Sequence, residues 1–158
     1  MKLNMIVCLG ENNLMGDKNP TGNGLLWHSM EELKYYKSRT VGNIVLFGQN
    51  TAKYVPLNLM KKTREVVVLD KETKIEDIKE KYKDTDKDIF ICGGYTIYKY
   101  YLDNYEIDNI YISRLKPCVE VAEAKNPLYF PNVEDYGYKM ISKDDSSFED
   151  FTAYVYSK

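Results

Sequence analysis

The chain has 158 residues, 44% of them hydrophobic, which is enough for one globular domain with its own core. Its 22 basic and 24 acidic residues give a net charge of -2, so nothing suggests a nucleic-acid or membrane-surface partner. Three widely spaced cysteines argue against a disulfide framework and a zinc site, and no stretch approaches the roughly 20 apolar residues of a membrane span. We therefore expect a reduced, cytoplasmic protein without a metal site.

Strands and helices alternate along most of the chain. The apolar run at residues 3–9 predicts a buried first strand. Residues 10–24 are rich in Gly and Asn and have no periodicity, so they predict a long loop, either a functional lid or a mobile surface excursion. Further strands are predicted at residues 43–47, 65–69, 89–92, 107–115, 136–141 and 151–156. Helices are predicted at residues 29–39, from Asn50 or Thr51 toward Tyr54, within residues 71–88, and at residues 96–102.

This alternation predicts the α/β class, with a mainly parallel sheet covered on both faces. The acidic link Asp144-Asp145-Ser146-Ser147 connects the last two strands as a hairpin, which places an antiparallel strand at one edge. No internal repeat, linker or low-complexity tract divides the chain, so we expect residues 1–158 to form a single domain.

The helix at residues 29–39 carries the most informative polar side chain. Ser29, followed three residues later by Glu32, has the spacing of a capping box, which predicts a helix start at Ser29. Glu32, Leu33 and Tyr36 fall in one sector of the helix, so apolar side chains flank the carboxylate. This carboxylate is a cap, a solvated charge or a ligand anchor, since a buried carboxylate needs a partner.

Two junctions combine a strand, glycine and a helix start. One is Phe47-Gly48-Gln49-Asn50-Thr51 and the other is Cys92-Gly93-Gly94-Tyr95-Thr96. Glycine lets a ligand approach the backbone closely, and a helix start offers unpaired N–H groups that suit phosphate. Because ligands bind at the carboxyl ends of strands in open α/β sheets, the two junctions could hold the phosphates of a dinucleotide. Neither has the GxGxxG fingerprint or the P-loop pattern, and such junctions also occur for purely structural reasons.

Several short motifs resemble one family through their order and spacing. They are Met15-Gly16; Trp27 with Glu32-Leu33 and Tyr36-Lys37; Phe47-Gly48 with Thr51; Arg64; Gly93-Gly94 with Ile97-Tyr98; Tyr111-Ile112-Ser113; and Phe130-Pro131. Together they resemble dihydrofolate reductase over nearly the full chain. The resemblance implies that family's three-layer fold, with a mixed, mostly parallel sheet of about seven to eight strands, an antiparallel C-terminal hairpin and about four flanking helices.

The resemblance also implies an activity. Members of the family reduce 7,8-dihydrofolate to 5,6,7,8-tetrahydrofolate, which supports thymidylate and one-carbon metabolism. A hydride passes from C4 of the NADPH nicotinamide to C6 of the pterin, and a proton reaches N5. The implied ligands are NADPH, dihydrofolate and antifolates such as methotrexate and trimethoprim, bound by a monomer.

Residue roles follow from the matched motifs. Glu32 matches the family's active-site carboxylate, Ser113 the hydroxyl residue that hydrogen-bonds it, and Trp27 a residue that holds a water and shapes the pocket. The implied substrate-binding residues are Ile6, Cys8, Glu32, Leu33, Tyr36, Val55, Arg64, Cys92 and Ser113, with Arg64 paired to the glutamate α-carboxylate. The implied cofactor-binding residues are Cys8, Met15, Gly16, Asn23, Gly48, Gln49, Asn50, Thr51, Leu69, Asp70, Lys71, Cys92, Gly93, Gly94, Tyr95, Thr96, Ile97 and Tyr98, and residues 10–24 match the mobile lid over the nicotinamide.

The chain departs from the family pattern at several positions. Leu26 replaces the usual Pro before the Trp, the lid carries extra residues, and the segment between residues 69 and 89 is short, so a small edge strand is expected to be missing. Gln49 and Thr96 replace arginines that many bacterial members have near the cofactor 2′-phosphate, and Asp70 would oppose that phosphate by like charge. We therefore expect weaker NADPH affinity or a reduced preference over NADH. The altered pocket wall predicts weaker trimethoprim binding than in a typical bacterial member.

Two other interpretations remain open. The first is a pyrimidine reductase of riboflavin synthesis, which shares a related fold and uses NADPH, although the helix with Trp27 and Glu32 argues against it. The second is a reductase-derived binding or structural protein that has kept the fold and lost turnover. The altered phosphate-binding residues leave room for this second interpretation.

Overall fold

The computed structural model describes residues 1–158 and contains nine strands and five α-helices. The strands are β1 (Leu3–Leu9), β2 (Leu14–Asp17), β3 (Ile44–Phe47), β4 (Glu65–Val68), β5 (Ile89–Ile91), β6 (Asn109–Leu115), β7 (Pro127–Tyr129), β8 (Lys139–Asp144) and β9 (Phe151–Ser157). The helices are α1 (Met30–Thr40), α2 (Gln49–Ala52), α3 (Leu57–Met60), α4 (Ile75–Lys81) and α5 (Tyr95–Asn104), and 3₁₀ turns occur at Glu11–Asn13 and Val133–Tyr136. No helix combines the length and the apolar character needed to cross a membrane.

Seven strands form the central sheet in the order β4-β3-β5-β1-β6-β9-β8. The first five strands in that order are parallel, whereas β9 is antiparallel to β6 and β8 is antiparallel to β9. The predicted α/β class, mixed sheet and C-terminal hairpin are therefore confirmed. Along the chain, α4 is the only helix or strand between β4 and β5, and in the sheet β4 forms one edge. The expected loss of a small edge strand is therefore also confirmed.

Successive side chains of β1 point to opposite faces of the sheet, as the two-residue period of a strand requires. Leu3, Met5, Val7 and Leu9 belong to a core of 21 buried residues that also includes side chains from α4 and α5. Ile6 points to the other face and packs in a smaller cluster with Val45, Phe47, Met60 and Phe90, under side chains from α1, α2 and α3. The sheet is thus covered on both faces, and the smaller cluster lies on the face that α1 covers.

The prediction of an unbroken loop at residues 10–24 is wrong. Strand β2 lies within it and pairs with β7 in a separate two-stranded antiparallel sheet. The Asp17 carboxylate accepts hydrogen bonds from the backbone N–H groups of Lys125 and Asn126, which fixes the end of this pair. Both strands are too short to show an alternating pattern in the sequence, and they pair with each other across a long stretch of chain.

Three helix predictions also need correction. The second helix begins at Gln49 with Gly48 as its N-cap, so neither Asn50 nor Thr51 caps it, and the unpredicted α3 follows and gives five helices instead of about four. Within residues 71–88 only α4 is helical. Its Ile75 and Ile78 are buried, and Tyr82, the C-cap residue, packs partly buried against the same core.

The strand predicted at residues 136–141 begins only at Lys139. Tyr136 ends a 3₁₀ turn, and Gly137 follows it with φ +92°, a left-handed conformation that suits glycine and interrupts extended backbone.

Candidate active site

The start of α1 places a carboxylate against the sheet. Ser29 is the N-cap, and its hydroxyl oxygen accepts a hydrogen bond from the Glu32 backbone N–H at 3.1 Å, so the predicted cap is confirmed. The Glu32 carboxylate makes no return bond to the Ser29 N–H and lies beside Ser113 instead. The capping box is thus half formed, and the carboxylate is left to face the cleft.

Two neighbouring strands supply the polar residues opposite Glu32. Cys8 on β1 and Ser113 on β6 are paired in register, so their side chains leave the sheet side by side. Burial raises the pKa of Glu32 from 4.5 to about 7, and the Ser113 hydroxyl opposes this rise. That hydroxyl is itself buried and makes no hydrogen bond of ordinary geometry within the protein. A titratable carboxyl group and an unpaired hydroxyl therefore share one pocket and can bind a polar ligand.

Trp27, Cys8 and Tyr98 close this pocket. Trp27 is 8% exposed and lies beside the Cys8 thiol, whose pKa is raised by burial and by the nearby charge of Glu32. The Tyr98 hydroxyl donates a 2.6 Å hydrogen bond to the Ile6 carbonyl, which leaves that carbonyl one further lone pair for a ligand. Burial raises the pKa of Tyr98 as well, so the hydroxyl stays a donor. Tyr98 and Ile6 are 92 residues apart, and nothing in the sequence marks this bond.

Beyond Glu32, apolar side chains of α1 and of the segment after α2 continue toward Arg64. Tyr36 and Val55 pack against the smaller core cluster, and Leu33, which is 39% exposed, lies one helix position after Glu32. The Arg64 guanidinium lies 5.8 Å from the centroid of the Tyr36 ring. Apolar side chains and a cation thus lie together beyond Glu32. That they line a substrate cleft stays a prediction.

Arg64 is held from one side only. Its Nη1 donates a 3.1 Å hydrogen bond to the Thr40 hydroxyl at the end of α1, while its buried Nε has no partner. An arginine with an unsatisfied donor at the end of a cleft can bind a carboxylate. Thr40 carries no sequence signal for this role, because nothing local marks its contact with residue 64.

Cys92 and Tyr36 meet on the floor of the cleft. Burial raises the pKa of the Cys92 thiol to about 12, and the adjacent Tyr36 hydroxyl opposes this rise. Both groups are consequently neutral at physiological pH. They add a weakly polar contact to a wall that the sequence pattern indicated as apolar.

The two glycine junctions are brought together, as predicted. The Gly48 N–H donates a 2.8 Å hydrogen bond to the Gly93 carbonyl. A Cβ added at Gly48 would lie 2.7 Å from Ile97 Cγ1, and one added at Gly94 would lie 2.6 Å from Thr51 Oγ1. Neither position can hold a larger residue without a shift of its neighbour, so the glycines are required by this close approach.

Only one of the two helix starts is suited to an anion. Helix α5 has ten residues and begins after Gly94, which provides no side-chain cap, so its first backbone N–H groups are unpaired. Helix α2 has only four residues, which is too short for a helix dipole that would attract an anion. Its junction contributes the close backbone approach between Gly48 and Gly93. A diphosphate therefore fits the α5 junction, with Tyr95, Thr96 and Ile97 supplying the first N–H groups.

Other predicted cofactor residues occupy three positions around these junctions. Met15 packs against the larger core, and a Cβ at Gly16 would meet no atom within 4 Å, so the backbone of β2 is open on that side. Gln49 and Asn50 are exposed at the start of α2, and Asp70 and Lys71 are exposed just after β4, while the Leu69 side chain is buried in the core.

Asn23 is the exception among the predicted residues. It lines a cavity of about 540 Å³ together with Trp27, His28 and Cys118, whereas Glu32 and Ser113 do not line that cavity. The contact that ties the lid region to β6 is instead the hydrogen bond from Arg114 Nη1 to the side chain of Asn13, at 2.7 Å. Sequence reasoning did not identify either residue of this pair.

Comparison with known proteins gives a consistent result. The dihydrofolate reductase family model matches residues 2–158. The chain is 26% identical over 125 residues to a dihydrofolate reductase of Mycoplasma genitalium, covering 70% of this chain and 74% of that protein. It is 24% identical over 169 residues to a dihydrofolate reductase of Buchnera aphidicola, covering 99% and 96%. Among solved structures, it is similar to dihydrofolate reductase from Enterococcus faecalis complexed with NADP(H) and RAB-propyl, with a TM-score of 0.69, 18% identity, and coverage of 99% and 95%.

Proposed function

Because this chain belongs to the dihydrofolate reductase family and reduces 7,8-dihydrofolate with NADPH, we propose that the cleft between Glu32 and Arg64 is the site of that reaction. The observation that carries the proposal is the arrangement of polar groups at the two ends of that cleft. At one end the half-buried Glu32 carboxyl group lies beside the Ser113 hydroxyl, and at the other Arg64 has a buried Nε without a partner. Dihydrofolate has the matching order of groups: a pterin with N–H donors, an apolar benzoyl ring and a glutamate.

Glu32 holds the pterin and governs its proton. Its carboxylate accepts hydrogen bonds from the pterin 2-amino group and N3, which raises the basicity of the ring system. Because its pKa is about 7, Glu32 exists in both protonation states near neutral pH, as an acid–base group should. A water molecule carries the proton to N5, while Ser113 and Trp27 fix the orientation of the carboxyl group and the pocket wall.

The rest of the cleft binds the benzoyl-glutamate portion of the substrate. Leu33, Tyr36 and Val55 line the benzoyl ring, and Arg64 pairs with the α-carboxylate. The Ile6 and Cys92 backbone carbonyls form the wall that also accepts the 4-amino group of antifolates such as methotrexate. These interactions position the pterin so that the ring face that receives the hydride is turned toward the two glycine junctions.

NADPH supplies the hydride that reaches C6 of the pterin when it is bound. The start of α5 and the Gly48–Gly93 junction would hold its diphosphate, and Cys8, Tyr98, Met15 and Gly16 would line the nicotinamide. The segment that includes β2 acts as the lid and excludes water from the hydride step. The residues at these two places thus fit the nicotinamide and diphosphate portions of the cofactor.

We further propose that the enzyme acts as a cytoplasmic monomer that supplies tetrahydrofolate for thymidylate and one-carbon metabolism. The family membership over residues 2–158 supports the metabolic role. Antifolates are expected to compete with dihydrofolate for Glu32.

Dihydrofolate-dependent NADPH oxidation by native, Glu32→Gln and Glu31→Gln proteins tests the assignment. Glu31 is the matched control, because it is the neighbouring carboxylate on α1 and accepts a hydrogen bond from the Asp150 N–H, which Gln can also accept. Glu32→Gln should lose about 100-fold or more in turnover and remain folded, whereas Glu31→Gln should keep its activity. Methotrexate binding without turnover in the native protein would point to a binding protein built on this fold. Turnover of a riboflavin-pathway pyrimidine and not of dihydrofolate would point to the related reductase.

A further inference from the structure

The strand order predicts the path of the cofactor across the sheet. The carboxyl ends of β1, β5, β3 and β4 lie side by side in that order. If the nicotinamide lies at the end of β1 and the diphosphate at the β5 and β3 junctions, as the proposed function holds, then the adenosine lies toward the end of β4. The backbone N–H of Leu69 donates a 2.7 Å hydrogen bond to the Phe47 carbonyl, which continues the β3–β4 pairing to the level of Gly48 and places Asp70 one residue beyond it, at the carboxyl end of the sheet.

Asp70 is held in a fixed position there. Its Oδ1 accepts hydrogen bonds from the backbone N–H of Glu72 at 2.9 Å, from that of Thr73 at 2.8 Å and from the Thr73 hydroxyl at 2.7 Å. These bonds lower the pKa of the carboxyl group, so it is ionised at physiological pH. The other oxygen, Oδ2, makes no hydrogen bond within the protein and can accept one from a ligand.

No arginine is available to bind a phosphate at this end. The chain has three arginines, and each has its contacts elsewhere: Arg39 over Tyr35 and Tyr111, Arg64 with Thr40, and Arg114 with Asn13. The nearby cations are the exposed lysines Lys53, Lys71 and Lys74, none of which forms an ion pair. Lysines offer mobile point charges rather than the rigid fork that binds phosphate through two bonds.

We propose that Asp70 sets the cofactor preference of this enzyme by accepting a hydrogen bond from the 2′-hydroxyl of the adenosine ribose, so that NADH binds nearly as well as NADPH. A carboxylate is a strong acceptor for a ribose hydroxyl, and it repels the additional phosphate of NADPH by like charge. The exposed lysines offset part of this repulsion, which is why NADPH still binds. Asp70 thus acts on binding selectivity and not on the hydride step.

Calorimetric titration with two cofactor fragments tests this proposal without any turnover. The probes are 5′-AMP and adenosine 2′,5′-bisphosphate, which differ only in the 2′ group, and the intact NADH and NADPH are titrated beside them. The variant is Asp70→Asn, because Asn retains the Oδ1 acceptor for the Glu72 and Thr73 N–H groups and so preserves the turn. The matched control is Glu72→Gln, which removes the same charge from the same turn but has no side-chain hydrogen bond there.

In the native protein we expect the NADH and NADPH affinities to lie within about tenfold of one another. Asp70→Asn should shift the affinity ratio toward the bisphosphate by about threefold to tenfold, the effect of removing one exposed charge near a phosphate, while Glu72→Gln leaves the ratio unchanged. A strong NADPH preference that Asp70→Asn does not alter would overturn the proposal and leave the proposed function intact. Failure of all four ligands to bind would instead overturn the cofactor site itself.

Discussion

Replacing the Glu32 carboxylate with an amide should stabilise the fold above neutral pH. Burial raises the pKa of Glu32 from 4.5 to about 7, so between these values the folded protein binds more protons than the unfolded chain. The stability that protonated Glu32 contributes is therefore present below pH 4.5 and is lost as the pH rises through about 7. At ~1.4 kcal/mol for each pH unit between the two values, the ionised carboxylate costs ~3 kcal/mol, or ~2 kcal/mol after allowance for the partial exposure of the side chain.

Urea unfolding of native and Glu32→Gln proteins at about pH 5 and about pH 8 measures this cost. At the higher pH the variant should be the more stable by ~2 kcal/mol. At the lower pH native Glu32 is mostly protonated, but the unfolded chain is already partly ionised, so the difference should shrink to ~0.5 kcal/mol. Glu31→Gln, which replaces the neighbouring carboxylate on the same helix turn, serves as the control for the substitution itself. An equal effect of Glu32→Gln at both pH values would refute the assignment of Glu32 as a buried carboxyl group with a raised pKa.

The remaining predictions concern the cleft, the glycine junction and inhibition. Arg64→Lys should raise KM for dihydrofolate by about tenfold or more with little change in kcat, because the fork that binds the carboxylate is lost; an unchanged KM in steady-state kinetics would contradict this. Gly48→Ala should destabilise the protein by ~1–3 kcal/mol, since the added Cβ would lie 2.7 Å from Ile97 Cγ1, while Gly16→Ala meets no neighbour and should have little effect in thermal unfolding. Trimethoprim should inhibit more weakly than it inhibits a typical bacterial member, because Glu32 and Leu26 alter the pocket wall; nanomolar inhibition, measured beside methotrexate, would argue against this.

Local sequence signals predicted the elements that build the site. The Ser29 cap of α1 is a local hydrogen bond within one helix turn, so the sequence spacing was sufficient to predict it. The Gly48 and Gly93 junctions followed from apolar runs that end in glycine, and the alternation of elements brought both to the same edge of the sheet. Long, buried strands and capped helices are thus the predictable part of this fold.

The contacts that complete the site depend on tertiary packing. The approach of Glu32 to Ser113 could be expected only through the family resemblance, because neither residue carries a local mark of the other. The Thr40–Arg64 bond and the Tyr98–Ile6 bond join elements distant in sequence, and no periodicity indicates them. The β2–β7 pair was missed for the same reason, since its two short strands are defined by their pairing and not by their composition.

The pH dependence of kcat/KM for dihydrofolate, in native and Glu32→Gln proteins, is the most direct test of the claim that Glu32 governs the proton in this reaction. Since the reaction consumes a proton and the pKa of Glu32 is about 7, native kcat/KM should fall by about tenfold for each pH unit above that value. Glu32→Gln should be at least about 100-fold slower and show no such fall. A native profile that is flat through neutral pH, or the same slope in Glu32→Gln, would contradict the role assigned to Glu32.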